Sequence, residues 1–319
     1  MIAEIGNDVK KAKEYLQEGQ VIGLPTETVY GLAGNGLDQE VVAKIFGIKN
    51  RPFFDPLILH IGDFSQINNL TTFLPKELEE LAKSCWPGPL TLLVPKGDNI
   101  PELVTSGLPR VGIRMPDHPL TLDLLKSLPF PLAAPSANPF GYISPTRPAH
   151  VFKQLGAKIP YILDGGVCQV GIESTIVGME GDVLVIYRLG GLSVSQIQSR
   201  YKGVIKINES SSRPEAPGMS LSHYAPQKPL YLGDKKSLLS GGHHEKAAVL
   251  CFNERWSELK QNQQWVLSES ADFEEAAHKL FSYLREMDEA DITHILAEKL
   301  PDEGLGVAIN DRLYRASKK

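Results

Sequence analysis

The chain begins with helical spacing: Val9, Ala12 and Leu16 recur over residues 8–18, and Gly19 ends the run. "VIGL" at 21–24 then reads as a strand interior. Polarity changes abruptly at "PTET", and apolar residues resume in "VYGL". A tight hairpin would carry Asn-Gly or Asp-Gly there. Pro25 instead removes a backbone donor and stiffens the exit, so short polar groups project from the end of a rigid element. "DQEVVAKIFGIKN" predicts a helix capped by Asp38, with Val41, Val42, Ile45 and Phe46 on one face. "PLILHI", "LTLLVPK", "RVGIRM", "FPLAAPS", "YILDGG", "STIVGM" and "DVLVIYRL" predict strands. "PKELEELAKSCW" (from Pro75), "HPLTLDLLKS" and "AHVFKQLG" predict helices among them. The pattern is that of an α/β domain with a large, mixed, twisted sheet and surrounding helices, lacking the regular alternation of a doubly wound fold.

Periodicity fades in "NESSSRPEAPGMSLSHYAPQKP" (208–229), a linker by composition with four prolines. After it, "LYLG", "AAVLCF", "WVLSES" and "THILAE" alternate with helical stretches such as "DFEEAAHKLFSYLREMD". That predicts a small parallel α/β domain, Rossmann-like in outline. The expected division is 1–208, a linker at 209–228, and 229–319, in keeping with two domains for 319 residues.

Composition changes this picture in three ways. The net charge is -5; residues 1–208 hold 19 basic and 20 acidic side chains, and 209–319 hold 14 and 18. The balance disfavours a strongly basic nucleic-acid surface and makes the first part the better host for anionic ligands. Cys85, Cys168 and Cys251 show no C-x-x-C spacing, which fits a reducing cytoplasm rather than a disulfide framework or zinc site. No apolar run of about 18 residues occurs, so no membrane partner or signal peptide is expected. Gly241-Gly242-His243-His244 reads as a solvated loop rather than a metal site.

Nucleotide signatures such as G-x-x-x-x-G-K-[ST] and G-x-G-x-x-G are missing, as are H-E-x-x-H and G-x-S-x-G. What stands out is "KNRPFFDPLILH" (49–60). Lys49 and Arg51, two apart in an extended segment, can both approach an oxyanion, although a solvated basic loop would read the same. His60 lies in an apolar strand, the usual setting of a core histidine. "APSANPFGYISPTRP" places Ser136, Asn138 and Ser144 in a proline-stiffened loop, suited to phosphate or base contacts and equally to turns. Arg110 and Arg114, four apart, share a strand face. Ser174 and Thr175 start a strand, and Arg188 ends one.

Taken together, "PTETVYGL", Lys49-Asn50-Arg51, Ser136-Ala137-Asn138, "ESTIV", the linker "APGMSLSHYAP" and the tail "GLGVAINDRLYRAS" resemble the YrdC-like family. Specifically, they resemble its longer threonylcarbamoyl-AMP synthases with an additional C-terminal domain. The resemblance covers nearly the whole chain. It implies a nucleotidyltransferase that condenses L-threonine, bicarbonate and ATP into L-threonylcarbamoyl-adenylate and releases pyrophosphate. A partner complex then transfers the threonylcarbamoyl group to an adenosine beside the anticodon of tRNA.

By resemblance, Thr28, His60, Arg114, Ala134 and Ser174 bind threonine. Lys49, Arg51, Ser136, Asn138, Ser144 and Arg188 hold ATP, with Lys49 and Arg51 at the chemistry, and Tyr224 closes over the site from the linker as a lid. Asp55 and Arg110 fall at ATP-binding positions that are often Asn and Thr in the family, and the added charges alter what ATP would meet. Magnesium would arrive on the ATP phosphates. Two other readings stay open at this stage. One is direct RNA binding, associated with the YrdC-like fold. The other is a carbamoyl-transfer enzyme of hydrogenase maturation, against which the missing C-x-x-C segments count.

Overall fold

The computed structural model describes residues 2–208, 217, 222–241 and 246–318. His243 and His244, and most of the 209–228 linker, lie outside the described residues. The first sheet has eleven strands in the order Glu4–Gly6, Tyr161–Leu163, Ile22–Leu24, Gly31–Asn35, Leu132–Ala133, Ile58–His60, Arg110–Arg114, Leu90–Pro95, Thr175–Glu180, Val183–Arg188 and Ile205–Ile207. Parallel and antiparallel neighbours are mixed: Ile58–His60 runs parallel to Arg110–Arg114, which runs antiparallel to Leu90–Pro95. The predicted strands are all present. Glu4–Gly6 and Ile205–Ile207, short edge strands with partly exposed residues, were not among them.

The "PTET" interruption is a hairpin with a wide connection. Ile22 pairs with Ala33 and Leu24 with Gly31, leaving residues 25–30 to bridge them. The loop is buried throughout. A buried loop must satisfy its own polar groups, and Thr26 does so here: its hydroxyl accepts from the Thr28 and Val29 amides at 3.2 Å each and donates to the Val29 carbonyl at 2.6 Å. Thr28 is thereby fixed at the sheet end with no exposure.

Helices pack around this sheet over a core that includes Leu32, Val42, Phe46, Leu59, Leu92, Ile113 and Val177. Asp38 caps its helix as expected, accepting from the Glu40 and Val41 amides at 2.9 and 3.2 Å. That helix ends at Lys49, and Asn50 takes the left-handed conformation (φ 51°). The second sheet is wholly parallel, in the order Leu230–Gly233, His294–Glu298, Ala247–Cys251, Gln264–Val266. Helix Phe273–Glu289, capped by Asp272, and helix Gly306–Ala316 accompany it. Among the described residues no helix is long and apolar enough to cross a membrane.

Loops of the first part share an apolar cluster with the second sheet and its helices. Val29, Ile143 and Ile172 from the first part pack in one cluster with Tyr224, Leu280, Phe281 and Leu284. Gly171 sits at a close backbone approach: its φ is +82°, and a Cβ there would lie 2.5 Å from the Ala277 carbonyl oxygen. Polar bonds flank the contact. The Tyr142 hydroxyl donates to Asp288 at 2.6 Å, Thr146 and Ser282 share a 3.0 Å bond, and Arg285 donates to the Ile143 carbonyl and, at 3.0 Å, to Gln154.

Candidate active site

A cleft opens where the strands carrying His60 and Arg114 end beside the loops at 134–136 and 173–174. Nine of the sequence-predicted residues line it: Thr28, His60, Arg114, Ala134 and Ser174 from the expected threonine group, and Arg51, Ser136, Arg188 and Tyr224 from the expected ATP group.

Strand pairing sets the first of these. His60 and Arg114 are register partners on adjacent parallel strands, so their side chains emerge on the same face. Arg114 is buried; its Nη2 donates to the Glu27 carboxylate at 2.6 Å, whose other oxygen accepts the Asp117 amide at 3.0 Å. Ser174 shares a 2.7 Å hydroxyl bond with Thr91 and receives one from Arg188 at 3.1 Å. Arg188 also donates to the Ser174 and Pro217 carbonyls, both at 3.0 Å. Burial lowers its pKa to about 10, leaving it charged at neutral pH.

Five predicted residues are placed elsewhere. The Lys49 amine is buried behind the cavity, donating to the Ser136 carbonyl and, at 2.6 Å, to that of Asn138. Left-handed Asn50 turns the chain between Lys49 and Arg51, so the segment is not extended and the two side chains bond different carbonyls. Lys49 pins the Ser136–Asn138 loop, and Arg51 reaches the cavity. Asp55 lies under Arg51 as its 2.9 Å ion-pair partner. The Asn138 amide donates to the Pro139 and Tyr142 carbonyls at 2.8 Å each, and Ser144 donates to Glu173 at 2.6 Å. Arg110 shares a strand with Arg114, but four residues separate them by roughly 13 Å. Its guanidinium lies 4.7 Å over the Tyr187 ring and bonds the Tyr187 hydroxyl at 2.7 Å, beside a different surface groove.

Other lining residues were not singled out from the sequence. Pro217 and His223 join Tyr224 in the lining, so the described part of the linker folds onto the site. His223 and Tyr224 rings meet edge to face at 4.1 Å, and Phe140 lies 5.5 Å from His223. Glu173 lines the cavity and is held by Arg312 at 3.0 Å. "SHYAP" and "ESTIV" were the available signals for His223 and Glu173, as neighbours of residues already chosen. Glu27 stood inside "PTET".

Arg51, Arg114 and Arg312 each face a carboxylate, whereas Arg188 is held by carbonyl oxygens and brings a positive charge to the cavity wall. The Lys49 amine is pushed well below its ordinary pKa by burial and then by Arg51. Burial, then Arg51, Lys49, Arg312 and Arg188, push His223 well below its ordinary pKa, so it adds no charge. Burial and Arg114 push His60 down to about 3. The unfolded chain therefore takes that proton first, near its ordinary value of 6.5. The contribution is present above that pH and lost as pH falls from 6.5 toward 3. His60 alone should cost about 2 kcal/mol of stability by pH 5. Urea midpoints at pH 7.5 and 5 should show the loss, and His60→Gln should flatten the difference; equal slopes for the two proteins would contradict it.

This architecture has known counterparts. Residues 14–190 match the family model described as telomere recombination (Sua5, YciO and YrdC proteins), and residues 192–318 match that of the threonylcarbamoyl-AMP synthase C-terminal domain. The threonylcarbamoyl-AMP synthase of Bacillus subtilis is 38% identical, covering 97% of this chain and 92% of its own. That of Pyrococcus abyssi is also 38% identical, covering 97% and 94%. The crystal structure of P. abyssi Sua5 complexed with L-threonine superposes with a TM-score of 0.90 at 35% identity, covering 99% of this chain and 97% of that one. The chain belongs to the threonylcarbamoyl-AMP synthase family. The enzyme class expected from the sequence is the one these relatives carry by name.

Proposed function

We propose that the chain condenses L-threonine, bicarbonate and ATP into L-threonylcarbamoyl-adenylate, releasing pyrophosphate. The product would serve a separate complex that modifies the adenosine next to the anticodon of certain tRNAs. The observation that carries this reading is the single cavity in which Thr28, His60, Arg114 and Ser174 meet Arg51, Ser136, Arg188 and the linker's Tyr224. A relative of the same fold is described with L-threonine bound.

The chemistry asks mainly for positioning. The uncharged threonine amine forms a C–N bond to carbon dioxide, or to bicarbonate with loss of water. A carbamate oxygen then forms a bond to the α-phosphorus as the bond to pyrophosphate breaks. Arg114 would pair with the threonine carboxylate, the charge match its position offers. Neutral His60 and the Thr28 and Ser174 hydroxyls can hold the amine and side-chain hydroxyl without adding charge. Arg51 and Arg188 would stabilise the phosphates as charge moves onto pyrophosphate. Lys49 acts by fixing the Ser136 loop, and Tyr224 with His223 would keep water from the adenylate. Magnesium enters on ATP, as part of the substrate.

Product mass spectrometry after incubation with threonine, bicarbonate and Mg·ATP should show the threonylcarbamoyl-adenylate. Serine should react more slowly, because a pocket shaped for the threonine methyl loses about 1–3 kcal/mol of transition-state binding when it is missing. AMP formation without a threonylcarbamoyl product would contradict the reading.

A further inference from the structure

We infer that Arg312, in the last helix of the chain, is a positioning residue that sets two walls of the adenylate-forming cavity from the C-terminal side. The inference rests on the adenylation reading for its kinetic consequences and on geometry for the rest. Arg312 has no solvent exposure, although an arginine is rarely buried without dedicated partners. Every direction of its guanidinium is used. Nε donates to Glu173 at 3.0 Å, Nη1 to Asp311 at 2.8 Å and Nη2 to the Leu189 carbonyl at 2.7 Å. Its flat face lies 5.1 Å over the Tyr224 ring.

Both contacts on the cavity side need an external support. Glu173 is a buried carboxylate lining a cavity that would receive polyphosphate. Ser144 bonds one of its oxygens, and Arg312 supplies the positive charge. Without that charge, Glu173 would repel the phosphates it faces. Tyr224 has a φ of +63°, a backbone region disfavoured for a side chain of this size. Its ring contacts the Arg312 guanidinium and Phe281, which stacks on it at 5.5 Å and 26°. The following amide, of Ala225, bonds the Gly141 carbonyl at 2.8 Å, which ties the held ring back to the first part. Arg312 therefore joins the neutralisation of one wall to the placement of the other.

The test uses the full chain with Arg312→Lys, Arg312→Ala and Arg312→Ala combined with Glu173→Gln. Tyr142→Phe, which removes a docking bond that touches neither wall, is the control. The KM for ATP should rise about 10–100-fold in Arg312→Ala, the loss of a charge-assisted bond, while the KM for threonine stays within about threefold. Arg312→Lys should fall between, lacking the planar fork. Removing the stranded charge with Glu173→Gln should recover part of the ATP affinity, an effect that packing alone would not give. Independently of any activity, hydrogen exchange at the Ala225 amide should quicken at least tenfold in Arg312→Lys and not in Tyr142→Phe.

Wild-type exchange at Ala225 in Arg312→Lys would overturn the inference even if the adenylation reading stands. So would a loss in Arg312→Ala that Tyr142→Phe reproduces, or one that Glu173→Gln leaves unrelieved. An inactive wild-type protein whose Arg312→Lys variant exchanges fast at Ala225 would refute the reading and leave the positioning role supported. Should Arg312→Ala fail to fold, exchange at Ala225 in Arg312→Lys against Tyr142→Phe decides the inference.

Discussion

Arg114→Ala should lower kcat/KM for threonine by roughly 30- to 4000-fold while leaving the protein folded. Arg114 is 4% exposed, bonded to Glu27 at 2.6 Å and paired in register with His60. Truncating one partner of a buried, hydrogen-bonded charge pair across a binding interface costs about 2–5 kcal/mol of binding, and for Arg114 with the threonine carboxylate this converts to that range. Two effects act in the same direction. The cation proposed to meet the substrate carboxylate is gone, and Glu27 is left as a buried anion with the Asp117 amide as its support. Arg114→Lys restores charge without the fork and should recover only part of the loss. Steady-state kinetics with threonine varied at saturating ATP reads the effect. A change of less than about threefold would show that Arg114 serves the Glu27 pair alone.

Truncation after Asn208 should leave a folded first part with little activity, at least about 100-fold below the full chain. The main core, from Ala3 to Ile197, lies wholly within the retained segment, and so does the eleven-stranded sheet. What is lost is one side of the cavity: Pro217, His223 and Tyr224. Val29, Ile143 and Ile172 lose their apolar partners, and Glu173 loses Arg312. The fragment should therefore melt cooperatively but several degrees lower. Closure around a reactive adenylate commonly excludes water and orients groups, so an open site should be slow and leaky to hydrolysis. Tyr224→Ala in the full chain should reproduce part of the deficit. Full activity of the fragment would mean that the first sheet and its loops suffice.

Much of this was legible from local pattern. Strands such as Arg110–Arg114 and Leu90–Pro95, and the Asp38 cap, follow from short-range physics. The parallel second sheet was readable from its strand–helix alternation. The residues placed outside the cavity lining show where local pattern stops. Period-two alternation put Arg110 and Arg114 on one face but did not convey that the strand carries them to different pockets. Treating Lys49-Asn50-Arg51 as extended overlooked that Asn favours the left-handed helix end. The bond from the Ser144 hydroxyl to Glu173, 29 residues away, is a long-range contact that the loop's own sequence does not announce. Arg312 is 139 residues from Glu173, a pairing that one sequence without its fold has no means of showing.

The most direct measurement is pyrophosphate release from Mg·ATP by the full chain, with threonine and bicarbonate supplied together, singly and not at all. Sustained release should require both, with AMP formed in equal amount as the adenylate hydrolyses. Equal release in the absence of threonine or of bicarbonate would contradict the proposal that this cavity builds a carbamate before it attacks the α-phosphate.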